Sequence, residues 1–240
     1  MCKLQHKNIV KFIDDFIHIE HSFCKTRYFY LIVMECYDNG DLVQFLDKYK
    51  EKKKHIKEEA ILHILGQLCE AIAYIHKYNI VHRDIKLANV FLSKDNNVRL
   101  GDFGLSENIR RIRLGRVGTK AYMAPEEFDK LAEHSLEYKK AKDMWCVGCI
   151  LYELCTGQLL VRLDFILGKK LADKPAFLTK FLSSIPSKYS KPFRNMIKRL
   201  LNPDPTKRLQ AEEILKKSKV RKQQKVPSYK VFKNDLIDVS

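Results

Sequence analysis

The sequence predicts an α+β chain whose strands gather near the amino-terminal end and whose larger remainder is helical, on three observations. Residues 12–19 and 27–34 are dense in aromatic and β-branched side chains, the composition that fits a pleated surface. From residue 58 onward apolar residues recur every three or four positions, which defines helical faces. Only one later stretch, residues 90–100, returns to a strand-turn-strand pattern.

Taken in order, Phe12 to Ile19 and Arg27 to Met34 are two strands, the second (RYFYLIVM) apolar enough to be expected buried on both faces. Tyr37-Asp38-Asn39-Gly40 is a turn or hinge, after which Asp41 can cap a short helix with Leu42, Phe45 and Leu46 on its apolar side. Ile61, Ile64, Leu65, Leu68, Ile72 and Ile75 place one face on a helix from Glu58 to Lys77. Val90–Leu92 and Val98–Leu100 flank Ser93–Asn97 and form a small hairpin with an Asp-Asn-Asn turn. Asp143 to Thr156 is apolar nearly all round and suits a helix in the middle of a core. Two amphipathic helices follow, Pro192–Leu201 and Gln210–Lys217, separated by the Pro-rich loop Asn202–Thr206.

Bulk properties bound the function classes. The chain has 240 residues, 45% hydrophobic, enough for one large domain or two small lobes. Its formal charge of +16 points to acidic surfaces among its partners. Seven cysteines, an odd and scattered count, suit reduced cytoplasmic or nuclear thiols better than a disulfide frame. No apolar run reaches the roughly 18 residues that span a bilayer, so membrane insertion is not expected. Residues 218–240 form a basic tail suited to an acidic partner.

The chemistry concentrates in two motifs. "HRDIKLAN" sets His82, Arg83, Asp84, Lys86 and Asn89 within eight positions, and "GDFG" follows, with Asp102 thirteen residues after Asn89. A strand-turn-strand excursion of that length returns to its start, so Asn89 and Asp102 can share a hard, oxygen-liganded cation such as Mg²⁺ together with phosphate oxygens. Cys146-x-x-Cys149 lacks a second pair and sits on the apolar helix, so it reads as core packing rather than a metal site.

With "GTKAYMAPE" and "DMWCVG" added, the order and spacing resemble the eukaryotic protein kinases of the serine/threonine class, with a polo-like or NIMA-related flavour. The resemblance covers about residues 4 to 217. It implies a two-lobe fold: residues 1–35 as a remnant of the small β lobe, 36–217 as a complete, mainly helical large lobe. It implies phosphorylation of Ser or Thr in protein substrates, with ATP and Mg²⁺ as cofactors. Asp84 would orient or accept the hydroxyl proton, Lys86 would offset charge on the transferring phosphoryl group, and Asn89 and Asp102 would hold magnesium. Met34, Glu35, Cys36, Asp41 and Phe91 would surround the nucleotide, with Met34 as gatekeeper and Glu35–Cys36 as hinge. Arg83, Phe103, Gly104, Ser106, Thr119 and Tyr122 would belong to the activation segment. His82, Glu126, Asp143 and Arg208 would be structural: His82 stacks with Phe103, Glu126 pairs with Arg208, and Asp143 braces the catalytic loop. Arg83 is expected to meet either a phosphate on Ser106, Thr119 or Tyr122 or the carboxylate of Glu107, beside the basic Arg110, Arg111, Arg113 and Arg116.

One departure shapes the expectation. In the family a Gly-rich phosphate loop, a strand lysine and a helix glutamate precede the "HxNIV" segment, whereas five residues precede it here and the nine glycines include no G-x-G-x-x-G. The sequence therefore leads us to expect an incomplete small lobe with exposed apolar residues such as Ile13, Tyr30 and Ile32. Two readings stay open: a kinase completed by sequence upstream, and a catalytically impaired, pseudokinase-like binding module. A nucleic-acid binder is the third class, and the chain has no recognition motif for it.

Overall fold

A computed structural model describes residues 4–23, 25–108, 118–128, 135–160, 179 and 182–223. Its first two elements are β1 (Phe12–Ser22) and β2 (Lys25–Met34), which pair antiparallel from Ser22↔Lys25 to Phe12↔Met34, with an irregularity between Phe12 and Asp14. The expectation that the second strand is buried on both faces is corrected: every residue of β2 is exposed. Two strands alone make a ribbon, and among the described residues no layer covers either of its faces, so apolar content cannot produce burial here. Ile13, Tyr30 and Ile32 are 57%, 64% and 40% exposed.

The chain then folds into a helical body. Helix α1 (Leu42–Glu51) starts where Asp41 Oδ1 accepts from the backbone N–H groups of Val43 and Gln44 at 2.9 and 3.0 Å, satisfying two of the orphan donors of a helix start. Helix α2 (Glu58–Lys77) buries the face formed by Ile61, Ile64, Leu65, Leu68, Ile72 and Ile75. Each such side chain contributes roughly 1.5–3 kcal/mol relative to exposure. Strand β3 (Ile80–Val81) pairs with β6 (Glu107–Asn108), and β4 (Val90–Leu92) with β5 (Val98–Leu100).

Helix α3 (Leu136–Thr156) is longer than the expected Asp143–Thr156. Ser135 accepts from the Tyr138 N–H and begins it two turns earlier, through a polar stretch that shows no apolar stripe. Nearly all of α3 from Ala141 to Cys155 is buried. Helix α4 (Lys191–Leu200) is capped by Ser190, and α5 (Ala211–Gln223) runs beyond the expected Lys217. One hydrophobic core joins α1 to α5 and the β4–β5 hairpin. No described helix is long and apolar enough to cross a membrane. Cys36, Cys69, Cys146, Cys149 and Cys155 are free thiols.

Candidate active site

The site is built where the segment after β3 meets the root of the β4–β5 hairpin. His82 and Arg83 are fixed from below by α3: Asp143 accepts from the His82 N–H at 2.9 Å, the Arg83 N–H at 3.0 Å, and is 2.8 Å from His76 Nε2. Burial alone would raise the Asp143 pKa; the hydrogen bond and charge of His76, then His82 with its backbone N–H, outweigh it and hold the carboxyl below its ordinary range. Arg83 takes a left-handed backbone, φ 73°, a conformation uncommon outside glycine that such anchoring enforces.

His82 links both motifs. Its Nδ1 accepts from the Asp84 N–H at 3.3 Å, which leaves the Nε2 proton to donate to the Gly101 carbonyl at 2.9 Å. Its ring lies 4.7 Å from that of Phe103. Gly101 has no room for a side chain, since a Cβ there would lie 2.7 Å from both Phe91 and Val10. Its N–H donates to the Asn89 carbonyl at 2.9 Å, so the two ends of the hairpin meet.

Asp84, 7% exposed, lies at the centre of a polar cluster. Lys86 Nζ donates to Asp84 Oδ2 at 2.7 Å and to Thr119 Oγ1 at 3.0 Å. The Thr119 N–H and hydroxyl both donate to Asp84 Oδ1 at 2.9 Å. Asn89 Nδ2 donates to the Asp84 carbonyl at 2.8 Å and to Oδ2 at 3.2 Å. Partial burial pushes the Asp84 pKa up, but the Lys86 and Thr119 hydrogen bonds prevail and keep it low, so the carboxylate stays ionised. Thr119 reaches this position through Gly118, whose φ of 108° suits glycine and where a Cβ would lie 2.5 Å from the Arg83 carbonyl.

Asp102 adjoins Gly101 in a left-handed conformation, φ 54°, and accepts from the Gly104 N–H at 3.3 Å. Because the Asn89 amide spends its N–H donors on Asp84, its oxygen is left for another partner, and with the exposed Asp102 carboxylate it offers hard donors suited to Mg²⁺. Among the described residues no group of three or more His, Cys, Asp or Glu could hold a metal. That is compatible with magnesium, which takes one or two carboxylates and fills its shell with water and phosphate.

The nucleotide candidates are less gathered. Phe91 lies on β4 with the Tyr37 ring 6.1 Å away, and Glu35 and Cys36 follow β2 at the surface. A shallow cleft open to solvent lies between ribbon and helical body; Met34, Asp102 and Phe103 line it with Leu4, Ile9, Val10, Phe12 and Ile32. Glu35, Cys36 and Phe91 are not in its lining. Asp41, assigned to the nucleotide from sequence, serves as the cap of α1 and bridges Phe91.

The activation-segment hydroxyls all have internal acceptors. Ser106 donates to the His82 carbonyl at 3.2 Å, Thr119 to Asp84, and the buried Tyr122 to Glu153. Arg110, Arg111, Arg113 and Arg116, the Glu107 side chain and the basic tail from 218 lie outside the residues whose side chains are described. Below the segment, Arg208 forms a two-pronged pair with Glu126, 2.6 Å on each prong, and donates to Asn202, Ala141 and Pro203 carbonyls at 2.7, 3.1 and 3.2 Å. Cys146 Sγ donates to the Tyr122 carbonyl at 3.3 Å, and burial pushes its thiol and that of Cys149 up, as befits core residues. Sequence reading missed Gln67, whose Oε1 accepts from Val98 N–H and Asn8 Nδ2 at 2.9 Å each and ties α2 to the hairpin; a lone polar residue on a helical face carries no signal of such a role.

Comparison with known proteins gives a consistent result. The model of the protein kinase domain matches residues 1–219. The chain is 34% identical over 221 residues to the serine/threonine-protein kinase Nek2 of Homo sapiens, covering 89% of this chain and 46% of that protein. It is 34% identical over 218 residues to the probable serine/threonine-protein kinase nek2 of Dictyostelium discoideum, covering 89% and 49%. It is 31% identical over 202 residues to the serine/threonine-protein kinase PLK4 of Drosophila grimshawi, covering 82% and 24%. The chain thus spans about half the length of the Nek2 relatives.

Proposed function

The chain belongs to the protein kinase domain family, in its serine/threonine class, and from this premise we propose that it transfers the γ-phosphoryl group of ATP to Ser or Thr hydroxyls of protein substrates. The observation that carries the reading is the single cluster of Asp84, Lys86, Asn89 and Thr119, joined to the "GDFG" segment where the Gly101 N–H, one residue before Asp102, donates to the Asn89 carbonyl. Phosphoryl transfer through a loose transition state asks for little covalent help from a protein; it needs alignment and charge stabilisation.

Each residue has a part that follows from its environment. Asp84, kept ionised by Lys86 and Thr119, accepts the hydrogen bond of the substrate hydroxyl and receives its proton. Lys86, on the same cluster, offsets charge on the transferred group. Asn89 and Asp102 are the residues that would hold magnesium, which when bound neutralises charge on the phosphate oxygens. Met34, the Glu35–Cys36 backbone and Phe91 would flank the base. Thr119, between Asp84 and Lys86, places the acceptor hydroxyl. An intracellular location, cytoplasmic or nuclear, is part of this reading, and so is an acidic partner for the basic tail.

The test combines binding with transfer. Mg·ATP should raise the Tm of the chain, and Asp102→Ala should remove that shift. Labelled phosphate from ATP should appear on a protein substrate, and Asp84→Asn should lower the rate by about a hundredfold or more. A chain that binds Mg·ATP yet transfers nothing would instead fit a regulatory binding module.

A further inference from the structure

The hinge turn is bolted to the far end of the hairpin whose near end carries Asn89 and Asp102. Asn39 Nδ2 lies 2.9 Å from the Ser93 carbonyl, 3.0 Å from Asn96 Oδ1 and 3.4 Å from the Lys94 carbonyl. These acceptors converge because the turn is itself rigid: the Asn96 N–H donates to the Ser93 carbonyl at 2.7 Å, the Ser93 N–H to the Asn97 carbonyl at 3.0 Å, and the Asn97 N–H to Ser93 Oγ at 3.1 Å. Asn96 adopts a left-handed φ of 57°, which an asparagine tolerates. The neighbours of Asn39 repeat the attachment. The Gly40 carbonyl accepts from the Leu92 N–H at 2.8 Å, Asp41 bridges Phe91, and Asp38 pairs with Lys94 at 3.2 Å.

Between the two ends stand three residue pairs, Val90↔Leu100, Phe91↔Arg99 and Leu92↔Val98. At roughly 3.4 Å per residue this is a bar of about 10 Å. Its root is closed by the Gly101 N–H donating to the Asn89 carbonyl. The turn that follows Glu35–Cys36 is therefore held to the hairpin at four consecutive residues, Asp38 to Asp41, and the Asn39 amide is the attachment that reaches the hairpin's own turn.

We propose that Asn39 is a positioning residue that fixes the distance between the hinge and the Asn89–Asp102 pair, so that a nucleoside triphosphate is gripped at both ends at once. The inference rests on the nucleotide reading of the site. Its signature is a chelate effect: a ligand that touches one end does not feel the clamp, whereas one that touches both does.

The experiment compares the full chain with Asn39→Asp, which keeps the shape but replaces two donors with acceptors facing the Ser93 carbonyl. Dissociation constants are measured for adenosine, for Mg·pyrophosphate and for Mg·ATP, with the Tm of each protein recorded alongside. The clamp predicts Mg·ATP weakened about five- to tenfold, because a freed turn lowers by that factor the population able to hold both ends, with adenosine and Mg·pyrophosphate each changed less than about twofold. Asn39→His, which retains an N–H donor, should recover part of the loss. Equal weakening of adenosine and Mg·ATP overturns the clamp in favour of a local hinge effect, as does unchanged Mg·ATP binding. If the unaltered chain binds no Mg·ATP at all, the nucleotide reading fails and the clamp with it. An Asn39→Asp protein that unfolds is replaced by Asn96→Gly, which keeps the left-handed turn while removing one of the acceptors and should weaken Mg·ATP about threefold or more, with adenosine and Mg·pyrophosphate changed less than about twofold.

Discussion

Thr119 holds Asp84 through two bonds, and only one of them depends on its side chain. The hydroxyl stabilises the ionised carboxylate, so its loss lets the Asp84 pKa climb back toward the ordinary aspartate range. A reaction that needs the carboxylate then fails at higher pH. Thr119→Ala should therefore shift the acid limb of the pH–rate profile upward, while Thr119→Ser leaves it in place; a limb that stays put in both variants would rule out this role. Asp143 gives a stability counterpart. Its pKa is lower in the folded chain than in the unfolded one, so its contribution is complete above the ordinary carboxylate range and is lost as pH falls through the lower folded value. Asp143→Asn leaves one oxygen where two served His82, Arg83 and His76, and should cost about 1–3 kcal/mol at neutral pH. In urea denaturation the gap between variant and parent should narrow in acid.

Helices and hairpin were legible at the scale of elements because their patterns are local. Helix α2 occupies the predicted Glu58–Lys77, and the hairpin the predicted Val90–Leu92 and Val98–Leu100. The first two turns of α3 were not legible: Leu136 to Lys142 carries helix-favouring residues but no apolar stripe, and its start depends on the Ser135 cap. The ribbon was misjudged for the opposite reason. Residues rich in Val, Ile and Tyr announce a strand, but whether its faces are covered depends on what packs against them. An exposed apolar ribbon is also an association hazard. Ile19 and Tyr28 face each other across it at 46% and 72% exposure. Replacing them with the opposite-charge pair Ile19→Lys and Tyr28→Glu should reduce light scattering and apolar-dye binding, with stability changed by no more than about 0.5 kcal/mol. An unchanged scattering signal would place the association elsewhere.

At the scale of the whole molecule, one arginine joins regions far apart in sequence. The five N–H groups of Arg208 serve Glu126, Asn202, Ala141 and Pro203, and its guanidinium lies 5.0 Å from the Trp145 ring. Lysine keeps the charge but lacks the planar fork, so Arg208→Lys strands buried acceptors. We expect a loss of about 3 kcal/mol or more, read from the denaturant midpoint at unchanged slope. A loss under about 1 kcal/mol would mean that solvent reaches the site and replaces the fork.

The sequence by itself determined the helices with apolar stripes and the hairpin, and it named His82, Asp84, Lys86, Asn89 and Asp102 as candidates, because periodicity and motif spacing are properties of neighbouring positions. Tertiary structure decided three other things. It left β2 uncovered, since burial requires a second layer that no strand can supply for itself. It brought Thr119 onto Asp84 and Lys86 from 35 and 33 positions away. It set Asn39 against a turn 54 residues later, because an amide's partners are chosen by where the backbone returns and not by what lies beside it.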